Sequence, residues 1–294
     1  MQSPGPHNCA FSRHHARAGF TLVELLIAMV VVAIVGGAVI TNYISQQRAA
    51  VLVREMAQLQ QQLRGAIYVM EDDLRLAGFD PTGRGGAGFG ITDIKPVALT
   101  GNGTDAESRP ALQVARDWLP RRIVRAIHPN AGEDTNGNGV LDAGEQATYF
   151  LRLNDRGATD LMRRLNDWGG AELVAENIEH IFFAFAYEDD AGNIAHQGND
   201  IIWTAPGANS VNEINMRLTA DLTLQPMAVP VPLDRVRMVR VWLLARAPHP
   251  SSRFVNTEPY AMPGLPEDVR ANGFGDGFRR RMLVRTIDLR NMNL

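Results

Sequence analysis

Two places in this chain bring together residues whose types and spacing could do chemistry. The first is Asp134-Thr135-Asn136-Gly137-Asn138-Gly139-Val140-Leu141-Asp142-Ala143-Gly144-Glu145, which fits the pattern D-x-[DN]-x-[DN]-G-x5-E at every position. In such a loop, oxygens from positions 1, 3, 5, 7, 9 and 12 surround one Ca²⁺. That assigns Asp134, Asn136, Asn138, the Val140 carbonyl, Asp142 (directly or through water) and a bidentate Glu145, with Gly139 at the sharp turn. A hard cation takes oxygen ligands, and no His or Cys competes within the stretch. Pro129 before the loop and the strand-like Ala147 onward after it depart from a helix-loop-helix arrangement. The expectation is an isolated structural calcium loop. With Asn at positions 3 and 5, three carboxylates face the ion, so the expected affinity is ~10⁻⁴–10⁻³ M. The second place is Glu24, the only charged residue between Phe20 and Ile40.

The elements around Glu24 explain why it is singular. Phe20 to Ile40 is long enough to span a bilayer, since ~20 apolar residues at ~1.5 Å rise cover a ~30 Å hydrocarbon core. A carboxylate inside such a span is costly and marks a functional position. A secretory signal would be cut after its apolar stretch, at small residues, whereas here the Gly19-Phe20 junction lies before it. Arg13 and Arg17, with no acid before Glu24, put the leader in the cytoplasm and everything after the span outside the inner membrane.

Gly19-Phe20-Thr21-Leu22-Val23-Glu24 resembles the class III signal of type IV prepilins. The resemblance implies that a prepilin peptidase cuts after Gly19 and N-methylates Phe20, leaving the apolar helix on the mature protein. It further implies that Glu24 is neutralised by the N-terminal amine of a neighbouring subunit in a filament.

Bulk composition is that of a globular chain, with 45% apolar and 21% charged residues among 294. The leader holds two of the 29 basic residues and no acid, so the remainder carries 27 basic against 32 acidic residues, a formal charge of −5. That balance does not fit a nucleic-acid binder. Cys9 lies in the leader, so the mature protein is expected to have no disulfide.

After the span the pattern becomes amphipathic. Met56, Leu59, Leu63, Ala66, Met70 and Leu74 recur at steps of three and four, one face of a helix, with Gln58, Gln60, Gln61, Gln62, Arg64, Glu71 and Asp72 opposite. No proline interrupts residues 20–80, and Gly78 with Pro81 reads as the stop. Gly36 and Gly37 are the expected place for a bend or local melting. Gly83, Gly85 and Gly88 match G-x-G-x-x-G, but a helix rather than a strand precedes them, which excludes a dinucleotide site. Strand patterns follow at 122–127, 147–153, 161–165, 177–187, 236–245 and 281–289, with Pro226, Pro230 and Pro232 marking an edge or connection. Phe183, Phe185 and Tyr187 should line one core face, with Phe182 pointing the other way. His128, His180, His196 and His249 are scattered, and no catalytic constellation stands out.

These elements give an α+β fold: a long N-terminal helix packed on an antiparallel β-sheet head. The expected division is a cleaved leader 1–19, a helix 20–78 with its membrane or filament-core segment at 20–40, and a periplasmic or extracellular head 79–294. The strands Val239–Arg246 and Arg280–Asn291 resemble those of PilW-type minor pilins. That resemblance implies a non-enzymatic protein inserted in the inner membrane and then carried at or near a pilus tip at the cell surface. Its partners would be other minor and major pilins, the prepilin peptidase and the inner-membrane assembly platform. A minor pseudopilin of a type II secretion system and a tip adhesin would share the same features.

Overall fold

The computed structural model describes residues 20–77, 93–95, 100–101, 123–125, 147–165, 171–207 and 214–289. The chain forms two compact units, residues 1–53 and 54–294. Helix α1, Leu22–Leu76, contributes to both.

In the first unit α1 is exposed almost throughout, from Leu22 to Val53. It is the one helix among the described residues long and apolar enough to cross a membrane. The expected melting at Gly36-Gly37 does not occur; both residues are helical. Thr41 Oγ1 adds a second donor to the Gly37 carbonyl at 2.8 Å, so the exposed peptide group stays satisfied.

In the second unit the amphipathic face packs as its spacing predicts. Leu59, Leu63, Ala66, Met70 and Leu74 are buried, and Met56 packs against them. The division between compact units therefore falls inside the helix, at Val53/Arg54, rather than at the helix end.

Two sheets receive this face. The larger contains β7 (Ile178–Tyr187), β10 (Trp203–Ala205), β11 (Ile214–Leu218), β12 (Leu224–Val231), β13 (Val236–Arg246) and β14 (Arg280–Asp288). Their order is β12-β11-β10-β7-β13-β14, antiparallel throughout. The smaller has the order β2-β4-β5-β6, from Thr100–Gly101, Ala147–Leu153, Thr159–Leu165 and Ala171–Ala175; only the β2–β4 pair is parallel. Two short ladders remain: β1 (Asp93–Lys95) with β3 (Ile123–Arg125), and β8 (His196–Gln197) with β9 (Asp200–Ile201). The β4–β5 hairpin closes on Asn154, whose Oδ1 accepts from the Arg156 and Ala158 amides, with Gly157 at φ 70°.

The large sheet is buried on both faces, so β7 and β13 read as near-continuous apolar runs. One face, with Ile181, Phe183, Phe185, Val239, Val241 and Leu243, meets α1 and the small sheet's Tyr149, Leu151 and Leu161. The other face carries Phe182, Ala184, Trp242 and Leu244 and is covered by Tyr260, Met262, Leu265 and Val269, the last from the short helix α2, Glu267–Asn272. Phe182 meets Trp242 edge to face at 5.8 Å. Pro226 and Pro230 lie in β12, at the sheet edge, where a missing amide breaks no internal ladder.

Candidate functional site

The start of α1 is built by its own first turn. Thr21 Oγ1 accepts from the Glu24 amide, and Glu24 Oε2 accepts from both the Thr21 amide and Thr21 Oγ1, each at 3.2 Å. This is a capping box: the residue before the helix and the one three further on satisfy each other's orphan donors. The carboxylate also sits where the helix dipole is positive. The order T-x-x-E before an apolar run carries this signal, and the charge-in-lipid reading of Glu24 passed over it. Glu24 Oε1 has no hydrogen-bond partner among the described residues, and Phe20 beside it is 88% exposed. An outward carboxylate oxygen at an apolar helix start can accept a further cationic donor.

Gly19, the other half of the processing junction, lies outside the described residues. So do the six calcium ligands Asp134, Asn136, Asn138, Val140, Asp142 and Glu145, and the glycines 83, 85 and 88. Among the described residues no group of three or more His, Cys, Asp and Glu converges to hold a metal.

A second constellation fastens α1 to the small sheet. Asp73 is 4% exposed and accepts from Arg163 in a two-pronged pair, Nε at 2.8 Å and Nη2 at 2.9 Å, and from the Tyr149 hydroxyl. Burial and then the adjacent Asp73 charge push the Tyr149 phenol well above its ordinary range. Sequence spacing could not find this triad, because its members stand 76 and 90 residues apart.

A third lies between β7 and β14. Arg280, the middle of the 279–281 arginine run, is 4% exposed and meets Glu179 and Asp276, with its guanidinium 3.7 Å from the Phe274 ring centroid. It is a paired core residue rather than part of an anion patch or a charged strand edge. His180 beside it is buried, its Nδ1 without a partner among the described residues. Burial pulls its pKa down to about 4; Glu179 opposes that shift and Arg280 adds to it.

Two segments of the chain match known families. Residues 14–40 match the Prokaryotic N-terminal methylation motif, and residues 148–291 match Type IV Pilus-assembly protein W. A solved type IV-like pilin from Thermus thermophilus is similar at 12% identity over 80% of this chain and 98% of that one, with a TM-score of 0.34, too weak a likeness to align individual elements. No curated protein matches. A methylation-motif N-terminus, an exposed apolar helix and an antiparallel head fit a membrane-anchored type IV prepilin-like protein. Within that class, residues 148–291 are similar to the PilW-type minor pilins, which are structural, non-enzymatic proteins.

Proposed function

We propose that this chain is a minor pilin of a type IV pilus, held in the inner membrane by residues 20–40 with its head in the periplasm. It is then incorporated at or near the filament tip, where it primes assembly with other minor and major pilins. The observation that carries the reading is the joining of a prepilin-type N-terminus to a PilW-type head on one helix. On this reading the prepilin peptidase cuts between Gly19 and Phe20 and methylates Phe20. The apolar half of α1 then passes from lipid into a filament core without changing its nonpolar surroundings. The outward Glu24 Oε1 would receive a neighbour's terminal amine, and because an unpaired buried carboxylate is strongly disfavoured, the pair would set axial register. The 134–145 loop would hold one structural Ca²⁺.

The experiment is mass spectrometry of the chain purified with its partners from membranes and from sheared filaments. The expected result is a mature N-terminus at methylated Phe20, together with pilins and the assembly platform. A chain beginning after residue 40 would remove the pilin reading. Co-purification with secretion-system pseudopilins in place of pilins would move the protein to a type II secretion filament.

A further inference from the structure

A groove of about 820 Å³ opens beside β10, β11 and the β8–β9 turn, on the face of the large sheet that does not meet α1. Trp203 and Trp242 line it together with Gln197, Thr219 and two arginines, Arg217 and Arg240. The Arg240 guanidinium lies 4.0 Å from the Trp203 ring centroid and 5.8 Å from that of Trp242, and its Nε donates to Thr286 Oγ1 at 3.1 Å. Its two terminal nitrogens have no acceptor among the described residues, and burial lowers its pKa. Arg217 donates through Nη2 to Gln197 Oε1, and its buried Nε has no partner among the described residues.

Other arginines of the head are compensated. Arg163 meets Asp73, Arg237 meets Glu188, and Arg280 meets Glu179 and Asp276. No carboxylate among the described residues forms an ion pair with Arg217 or Arg240. Desolvating a cation without an anion is costly, and a planar guanidinium with free terminal nitrogens suits a two-pronged carboxylate. The groove is therefore short of an anion. Asp200 also lines it and the whole chain is net negative, at −3, which disfavours a polyphosphate backbone needing a row of cations. The Thr219 hydroxyl is engaged with Asp221 and Thr223, whereas the Gln197 amide, whose Oε1 accepts from Arg217, keeps donors that suit a sugar hydroxyl. The volume is that of a site for a small molecule or a few sugar residues.

We propose that this groove binds an acidic saccharide, its carboxylate held by Arg240 and Arg217 and a hydroxyl by the Gln197 amide. Such binding is a property of the single chain and stands or falls apart from any place in a filament.

The test is calorimetry and tryptophan fluorescence on the full-length protein in detergent micelles, with trigalacturonate as probe. Neutral galactotriose, a ten-nucleotide single-stranded DNA and polyglutamate are the comparison ligands. Trigalacturonate should bind saturably, weaken with added salt, and exceed the neutral sugar by about tenfold or more, the worth of one charge-assisted contact. Arg240→Gln and Arg217→Gln should each cost a similar factor, and the exposed Arg281→Gln should cost nothing. If Arg240→Gln does not fold, Arg217→Gln decides. The proposal is overturned by absence of saturable binding up to about 10 mM or by equal binding of the neutral sugar. Unchanged affinity in the folded arginine variants, or tighter binding of DNA or polyglutamate than of the saccharide, would overturn it as well.

Discussion

Glu24 has two roles that the capping box makes separable. Its Oε2 closes the first turn of α1, while the outward Oε1 is the proposed acceptor for a neighbouring subunit. Glu24→Ala removes both and should leave membrane insertion intact, since deleting a charge from lipid is favourable. Glu24→Gln keeps a capping side chain at this position but removes the charge. We expect both variants to reach the membrane and both to be depleted from filaments, measured by immunoblot of membrane and sheared-filament fractions. Normal incorporation of the Gln variant alone would reduce Glu24 to a local cap. His180 supplies a pH dependence. Its folded-state pKa, about 4, lies below the ordinary 6.5, so between those values the unfolded chain takes up a proton that the folded chain refuses. Stability from this group is full above pH 6.5, falls as pH drops towards 4, and is flat below that. The loss amounts to about 3 kcal/mol at most. Denaturant titrations at pH 7 and pH 4.5 should show a smaller acid loss in His180→Phe than in the parent. An equal loss in the two would assign the acid sensitivity to the head's paired carboxylates instead.

At the scale of elements, the second half of α1 is held by an apolar face and by two ionic contacts among the described residues, the exposed Glu71–Arg285 pair and the buried Asp73–Arg163 clamp. Asp73→Ala would leave Arg163 with only the exposed Glu172 at 3.8 Å and the buried Tyr149 hydroxyl with only a long contact to the Val69 carbonyl. Breaking a buried pair from one side costs about 3–5 kcal/mol, to be read from denaturant unfolding. Replacing Asp73 and Tyr149 together, as Asp73→Ala with Tyr149→Phe, should cost less than the sum of the two single changes. The 134–145 loop is the other element with a direct test. A ligand confined to the folded state stabilises it by ~2.7 kcal/mol at a hundredfold excess over Kd. At ~2–4 °C per kcal/mol, that excess, ~10–100 mM calcium at the expected affinity, should raise the melting temperature by ~5–10 °C over chelator. Asp134→Ala should abolish that response and Glu145→Gln weaken it. Identical melting curves with calcium and with chelator would return the stretch to an ordinary polar turn.

At the scale of the whole molecule, the compact unit beginning at Arg54 changes what counts as the head. A soluble fragment started at residue 79 would lack Leu59, Leu63, Ile67, Met70 and Leu74, all buried in the main core. At ~1.5–3 kcal/mol for each large side chain, their loss rivals a net stability of ~5–15 kcal/mol. Residues 54–294 should therefore melt cooperatively, while residues 79–294 should bind a hydrophobic dye and show no sharp transition. Cooperative melting of both would make the helix dispensable to the core. The span, the capped start at Thr21 to Glu24, the amphipathic face from Met56 to Leu74 and the long strands β4, β7, β13 and β14 were legible in the amino-acid order. Each is a local pattern, set by hydrophobic period or by residues three or four apart. The short or proline-bearing strands β6, β10, β11 and β12 were not identified as strands, because five alternating residues or fewer hold little period and proline argues against a ladder. The covering segment with Tyr260, Met262 and Val269, the clamp of Asp73 with Arg163, the pairing of Arg280 and the cation-lined groove of Arg217 and Arg240 belong to the tertiary structure alone. Most of their partners are tens of residues apart, and only strand pairing and packing on both faces of the large sheet bring them within reach of one another.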